Sequence, residues 1–242
     1  VWSLGQITEA AQQQQKSGGR CCVLLTTGAM NPPHRGHVHM MQVAKEALER
    51  KHGLAVLGGF ISPSHDLYVG PKCQRLRTAF AAAHHRCDLA ELLIRDLDEA
   101  VPKEGGMQGE GNGWLHLSRW ESDPKHADWP DFPEVIAELS ANVGPDILVI
   151  YVCGSDLAMK CGLARGISGA GVFVVQRQND PAIASDPSRC VFGETQQDQA
   201  LASISSTQIR AALSQKDLGP LALQSQACVD YVLRHRLYGA GT

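Results

Sequence analysis

Residues 22–37 read Cys-Val-Leu-Leu-Thr-Thr-Gly-Ala-Met-Asn-Pro-Pro-His-Arg-Gly-His, and this stretch decides the fold. The apolar run Cys22–Leu25 reads as a strand, the residues from Thr27 to Pro33 as a tight turn, and the chain from Gly36 as a helix. Gly28 lets the backbone approach a ligand closely, and the Pro32-Pro33 pair holds the turn extended. His34 and His37 stand three apart on the first helical turn, where they face the same way. Free N–H groups and partial positive charge at a helix start suit an anion. With two imidazoles added, the stretch reads as a phosphate cradle. The plainer alternative is a capped surface helix that happens to carry histidines.

Working outward, strand-like apolar runs recur at Cys22–Thr27, Leu54–Ile61, Trp114–Leu117, Ile147–Val152 and Val172–Val175. Helical patterns fall between them. Gly36–His52 puts Val38, Met41, Ala44 and Leu48 on one face; Arg75–Arg95 does so with Leu76, Phe80 and Leu92; Pro133–Asn142 does so with Val135, Ile136 and Leu139. Alternating strands and helices, with strands that are nearly continuous apolar runs, predict an α/β fold. Its sheet is doubly wound (Rossmann-like) and mostly parallel. Residues 1–20, with the run Gln12–Gln15, read as a polar, weakly ordered lead-in or a short helix, and residues 21–242 as a single domain. Val101–Gly113 is Gly-rich and reads as a mobile excursion, and Asn179–Gln199 as a polar loop. Helices about Ser206–Ser214 and Ala222–Arg236 then build a small helical C-terminal lobe over residues 203–242. Ligands of such open sheets bind at the carboxyl ends of the strands.

The chain has 242 residues, 43% of them hydrophobic and only 19% charged, which fits a soluble globular protein with a large core. A net charge of −3 argues against a nucleic-acid partner, and no apolar stretch approaches the ~20 residues of a membrane span. The eight cysteines contain no Cys-x-x-Cys pair, so a disulfide framework or zinc site is not expected, and the compartment reads as reducing and intracellular. Val1 is not an initiator methionine, which leaves an upstream targeting segment open. A homo-oligomer is likewise left open.

A second motif, Ile204-Ser205-Ser206-Thr207-Gln208-Ile209-Arg210, repeats the logic of the first. Ser205, Ser206 and Thr207 precede a short amphipathic helix, where hydroxyls cap the helix or donate to phosphate oxygens. Arg210 lies one turn beyond Thr207, and its planar fork suits a phosphate. Gly154 and Asp156 follow a strand; the carboxylate could accept from ribose hydroxyls or simply cap the next helix.

These pieces, in order, resemble the nicotinamide/nicotinate mononucleotide adenylyltransferases within the His-x-x-His nucleotidyltransferases. The resemblance rests on Gly28–His37, Ile61-Ser62-Pro63 with Asp66 and Tyr68, His85-Arg86, Trp120-Glu121-Ser122 and Cys153-Gly154-Ser155-Asp156. Ile204–Arg210 and Asp230-Tyr231-Val232 with His235-Arg236-Leu237-Tyr238 complete it. It implies transfer of the adenylyl group of ATP to a pyridine mononucleotide, with Mg²⁺ as cofactor and no metal site built from protein side chains. His34, His37 and Arg210 would be the catalytic residues. Thr27, Gly28, Ala29, Met30, Asn31, Gly154, Asp156, Ser205, Ser206 and Thr207 would bind ATP. Ser62, Pro63, Tyr68, Lys72, Arg86 and Trp120 would bind the mononucleotide, with the Trp120 indole on the pyridine ring.

The chemistry fits on its own terms. A phosphate monoester has its second pKa near ~6, so the acceptor is already mostly dianionic at neutral pH and needs no general base. Catalysis is then positioning and charge stabilisation around the α-phosphate. Against the family pattern, Tyr68-Val69-Gly70-Pro71 intervenes before Lys72, Met30 stands where a Phe is usual, and Leu157–Gly171 holds no second aromatic. Two alternatives stay open: adenylyl or cytidylyl transfer to another phosphate monoester, or a nucleotide-binding, chaperone-like relative without turnover.

Overall fold

A computed structural model of the chain describes residues 2–16, 18–100, 113–215, 217–221 and 224–240. Six strands form one parallel sheet: β1 (Arg20–Gly28), β2 (Leu54–Pro63), β3 (Leu115–Leu117), β4 (Leu148–Gly154), β5 (Gly171–Gln176) and β6 (Val191–Thr195). Their order is β3-β2-β1-β4-β5-β6. Around it lie α1 (Gly5–Lys16), α2 (Arg35–His52), α3 (Asp66–Leu76), α4 (Ala83–Ala100), α5 (Phe132–Val143), α6 (Ser155–Cys161), α7 (Gln199–Ser203), α8 (Ser206–Gln215), α9 (Leu218–Leu221) and α10 (Gln226–Arg234).

The two-residue period of a strand divides the core into two halves. Cys22 and Leu24 of β1, Ile150 and Val152 of β4, and Phe173 and Val175 of β5 face one way, toward α2, α4, α8 and α10. Cys21, Val23 and Leu25, with Val149, Tyr151 and Val172, face the other way, toward α1, α5 and α6. Both faces are therefore covered, as a parallel sheet requires. The order of strand addition reverses between β1 and β4, a parallel pair that aligns Leu25 with Tyr151. The crevice beyond their carboxyl ends is where such a sheet binds ligands.

Five strands fall where the apolar runs predict them. The sixth, β6, lies inside the segment expected to be a polar loop, pairing Phe173 with Phe192 at the sheet edge. In the lead-in the helical alternative holds, and it is packed rather than loose: Ile7 and Ala11 of α1 are buried, and Trp2 packs edge-on against Phe60 at 5.0 Å. The expected helix over 75–95 is two helices. Arg77 turns left-handed (φ 51) and the Thr78 N–H closes on the Cys73 carbonyl, ending α3. The Asn31 side chain then holds the next stretch, donating to the Ala79 carbonyl (2.7 Å) and accepting from the Ala81 N–H (3.0 Å). Leu76 and Phe80 are consequently exposed rather than on a core face. The C-terminal helix expected at 222–236 is the shorter α10, preceded by α9. Residues 101–112 of the Gly-rich excursion lie outside the described residues.

Candidate active site

The loop after β1 builds the site. β1 ends beside β2, with Gly28 opposite Pro63, and the chain turns through Met30 (φ 45) and a cis Asn31–Pro32 peptide into α2. His34 caps that helix. Its backbone N–H donates to Nδ1 of His37 at 3.1 Å, and the two rings lie 3.8 Å apart, tilted by 38°. An Nδ1 that accepts must carry its proton on Nε2, so His37 presents an N–H donor outward. Burial lowers the His37 pKa to about 4. Burial, His37 and the Arg177 guanidinium hold His34 well below the usual histidine range. Both imidazoles are therefore neutral donors at physiological pH, and Nδ1 of His34 is buried with no hydrogen-bond partner.

The second motif reaches the same turn. Ser206 Oγ donates to the Pro32 carbonyl at 2.7 Å, and the Arg210 guanidinium donates to the Asn31 carbonyl and, at 3.2 Å, to Thr207 Oγ1. Gln224 adds a third tie, donating to the Pro33 carbonyl (3.0 Å) and accepting from the Arg35 N–H (3.2 Å). Two motifs about 170 positions apart thus meet on one loop.

A cavity of about 270 Å³ opens there, lined by Thr27, His34, His37, Gly154, Asp156 and Ser205 among others. Ser206, Thr207 and Arg210 do not line it; they join it through the backbone of the turn. Gly28 ends its strand, Met30 is buried in the core, and the Ala29 carbonyl and Asn31 side chain bond to protein. Thr27 Oγ1 and the Tyr151 hydroxyl, 2.8 Å apart, lock the two central strands below the cavity. Sequence reasoning missed Arg177 and Asp180, which also line it, just past the end of β5. The available signal was position: a cation directly beyond a buried parallel strand lies where ligands bind. Arg177 faces Asp156 at 3.9 Å, both exposed, so this pair stays free to rearrange around a ligand. A larger cavity, about 1300 Å³, lies against β3, α1 and α4 and touches none of the phosphate-motif residues.

The residues expected to bind the mononucleotide divide in two. Tyr68 and Lys72 stand one turn apart on α3, with the ammonium 5.2 Å over the ring. Tyr68 also meets Trp129 at 5.0 Å, an aromatic contact that no sequence pattern announced. Trp120 is half-buried and meets His126 edge-on at 4.7 Å. Ser62, Pro63 and Arg86 lie below this layer, all buried. Arg86 is wholly engaged by protein: it donates to the carbonyls of Ala81 (3.0 Å), Ala29 (2.8 Å) and Ser64 (2.7 Å) and to Asp66 Oδ1 (2.7 Å). It ties the first loop, the end of β2 and the start of α3 together rather than facing the pocket. Among the described residues no three His, Cys, Asp or Glu side chains are arranged to hold a metal ion. No described helix is long and apolar enough to cross a membrane.

The cytidylyltransferase-like family pattern matches residues 25–212, from β1 through α8. A nicotinamide/nicotinic acid mononucleotide adenylyltransferase of Arabidopsis thaliana is 24% identical over 223 residues, covering 88% of this chain and 87% of the relative. One from Oryza sativa subsp. japonica is 28% identical over 138 residues, covering 54% of this chain and 45% of the relative. Among solved structures, Plasmodium falciparum nicotinic acid mononucleotide adenylyltransferase complexed with APC aligns with a TM-score of 0.59 at 14% identity. It covers 91% of this chain and 98% of that one. The same Plasmodium enzyme complexed with NaAD aligns with a TM-score of 0.58 at 12% identity and the same coverage. The likeness to these two structures is one of fold. With the family pattern spanning the sheet and both motifs, the chain belongs to the cytidylyltransferase-like family of nucleotidyltransferases.

Proposed function

We propose that the chain transfers the adenylyl group of ATP to nicotinamide or nicotinate mononucleotide, giving NAD or its deamido form and pyrophosphate. The observation that carries this reading is the pair of hydrogen bonds from Ser206 and Arg210 to the turn that bears His34 and His37. They support a single triphosphate grip made from both ends of the chain.

A phosphate oxygen of the mononucleotide attacks the α-phosphorus of ATP, a new P–O bond forms, and the bond to the β-phosphate oxygen breaks as pyrophosphate leaves. The acceptor oxygen carries no proton at neutral pH, so no residue has to remove one. His37 Nε2–H and the His34 ring donate to phosphate oxygens as charge builds. Because both rings are neutral before the nucleotide arrives, the donors are in place without a counter-charge to strip away. Arg210, with Thr207 and Ser206, sits beside the cavity rather than in its lining and would turn from the carbonyls of the loop to the departing β and γ groups, while Arg177 lines the cavity itself. Asp156 accepts from ribose hydroxyls, and Thr27, Gly28, Gly154 and Ser205 line the nucleotide's path. Trp120 offers a ring face to the pyridine, and Tyr68 with Lys72 flanks it. Mg²⁺ bound with ATP would supply charge to offset the departing pyrophosphate, and Asp180, which lines the cavity, would offer it a carboxylate.

The similarity to plant relatives named for both mononucleotides supports this acceptor class. The test is incubation of the protein with ATP, Mg²⁺ and a panel of phosphate monoesters, including both pyridine mononucleotides, with products identified by mass. A dinucleotide formed from a pyridine acceptor supports the reading. Turnover of a different monoester alone, or no pyrophosphate release at all, overturns it.

A further inference from the structure

Glu121 is the one buried carboxyl among the described residues, and the chemistry above gives it no task. It is 2% exposed, and its Oε2 is sealed from solvent with no hydrogen-bond partner. Ser62 Oγ, at the end of β2, is sealed from solvent as well, and the Ser62 and Ser64 hydroxyls are the polar groups that face the carboxyl. The nearby cation, Arg86, is taken up by three carbonyls and by Asp66, so its charge offsets the burial of the carboxyl only in part. An ionised carboxylate in such a place is costly, and a carboxylic acid is not.

The position of Glu121 gives this burial a consequence. It follows Trp120 directly, in a loop that is tied to the sheet where the Ser118 N–H donates to the Ile61 carbonyl (2.9 Å). Within the loop the Trp120 N–H donates to Ser118 Oγ (3.3 Å), and His126 Nε2 meets the Trp120 carbonyl at 2.7 Å. Trp120 therefore stands between an anchor at Ser118 and the buried side chain of its neighbour. We propose that Glu121 is a positioning residue, whose buried carboxyl seats the Trp120 loop on the end of β2 and so sets affinity for the mononucleotide. The proposal rests on the reading of Trp120 as the platform for the pyridine ring.

As a neutral acid the side chain is both donor and acceptor toward the end of β2; as a carboxylate it would be driven toward water and carry the loop with it. Burial pushes its pKa up to about 8, with Asp131 at the cap of α5 adding to the rise. The Ser64 and Ser62 hydroxyls of the β2 end and Arg86 of α4 act against it. From β4 the Tyr151 hydroxyl also faces it, itself held neutral by burial. The proton on Glu121 is thus held at neutral pH and lost just above it.

The test uses the full chain. Tryptophan emission is titrated without substrate, and a Trp120→Phe variant isolates the Trp120 signal. The expected result is a transition centred near pH 8, the value at which Glu121 ionises, and none in Glu121→Gln, which keeps the neutral shape. In parallel, the KM for nicotinamide mononucleotide should rise about tenfold from about pH 7 to about pH 9 in the parent, with the ATP KM and kcat little changed. Glu121→Gln should stay at the low value throughout, and Glu121→Ala at the high one. A pH-independent Trp120 emission and KM in the parent overturn the proposal, a result that needs no variant to fold. So does a Glu121→Gln variant that titrates like the parent. If no pyridine mononucleotide is turned over, the acceptor reading fails, and the substrate-free emission alone decides the seating of the loop.

Discussion

His37 illustrates how one hydrogen bond assigns a role. The bond from the His34 backbone to Nδ1 fixes the tautomer, and burial keeps the ring neutral, so its outward group is an N–H donor. If that donor meets charge present mainly in the transition state, His37→Ala should lower kcat by about 10²–10³-fold while leaving the ATP KM nearly unchanged. Steady-state kinetics decide it, and a raised ATP KM at unchanged kcat would make His37 a ground-state contact instead. The two histidines were legible in the sequence because they sit at helical spacing after a strand and a Gly-Pro-Pro turn. Arg177 was missed, since its only mark is its place directly beyond the apolar run of β5. The burial of Arg86 was not legible either. Its four acceptors come from Ala29, Ser64, Asp66 and Ala81, and only the closed fold brings them around one guanidinium.

The elements show the same division. Five strands declared themselves as apolar runs because burial on both faces demands continuous hydrophobicity. The edge strand β6, Val-Phe-Gly-Glu-Thr, is only partly buried, so its sequence carries a glycine and a charge and reads as loop. In α3 the internal Pro71 obscured a helix that ends in exposed residues. The polar run of α1 left its helix only an alternative, because that helix contributes only a narrow apolar stripe. That stripe is nonetheless deeply set: an added Cβ at Gly58 of β2 would come within 2.8 Å of Ile7 Cδ1, so the helix lies directly on the strand. Ile7→Ala should therefore destabilise the protein by about 2–4 kcal/mol, read as a lowered urea midpoint with unchanged m-value. A loss below about 0.5 kcal/mol would mean that α1 is not docked on β2 in solution.

Across the molecule, proton linkage predicts a narrow stability optimum. His34 and His37 have folded pKa values below the ordinary 6.5, so the stability they allow is present above that pH and lost as pH falls. Glu121 is raised from 4.5 to about 8, so it works in reverse, losing stability as pH rises through that window. Between the two carboxyl values, the unfolded chain gains two histidine protons on acidification while the folded chain holds one on Glu121. Burial also lowers the pKa values of His85 and His116, so below pH 6.5 the unfolded chain binds more protons than the folded one; just above it the unfolded chain binds fewer, because only the fold keeps the proton on Glu121, and stability falls on both sides. Unfolding midpoints measured across this range should peak near pH 6.5, and Glu121→Gln should flatten the alkaline side. A midpoint that climbs steadily to pH 8 would contradict both assignments.

The carbonyls of Asn31 and Pro32 are claimed by side chains 179 and 174 positions downstream. During synthesis, the histidine loop leaves the ribosome long before Ser206 and Arg210 exist, and it stays unlatched until they follow. A polypeptide released short of α8 would therefore carry both imidazoles on a turn whose carbonyls have lost these two partners.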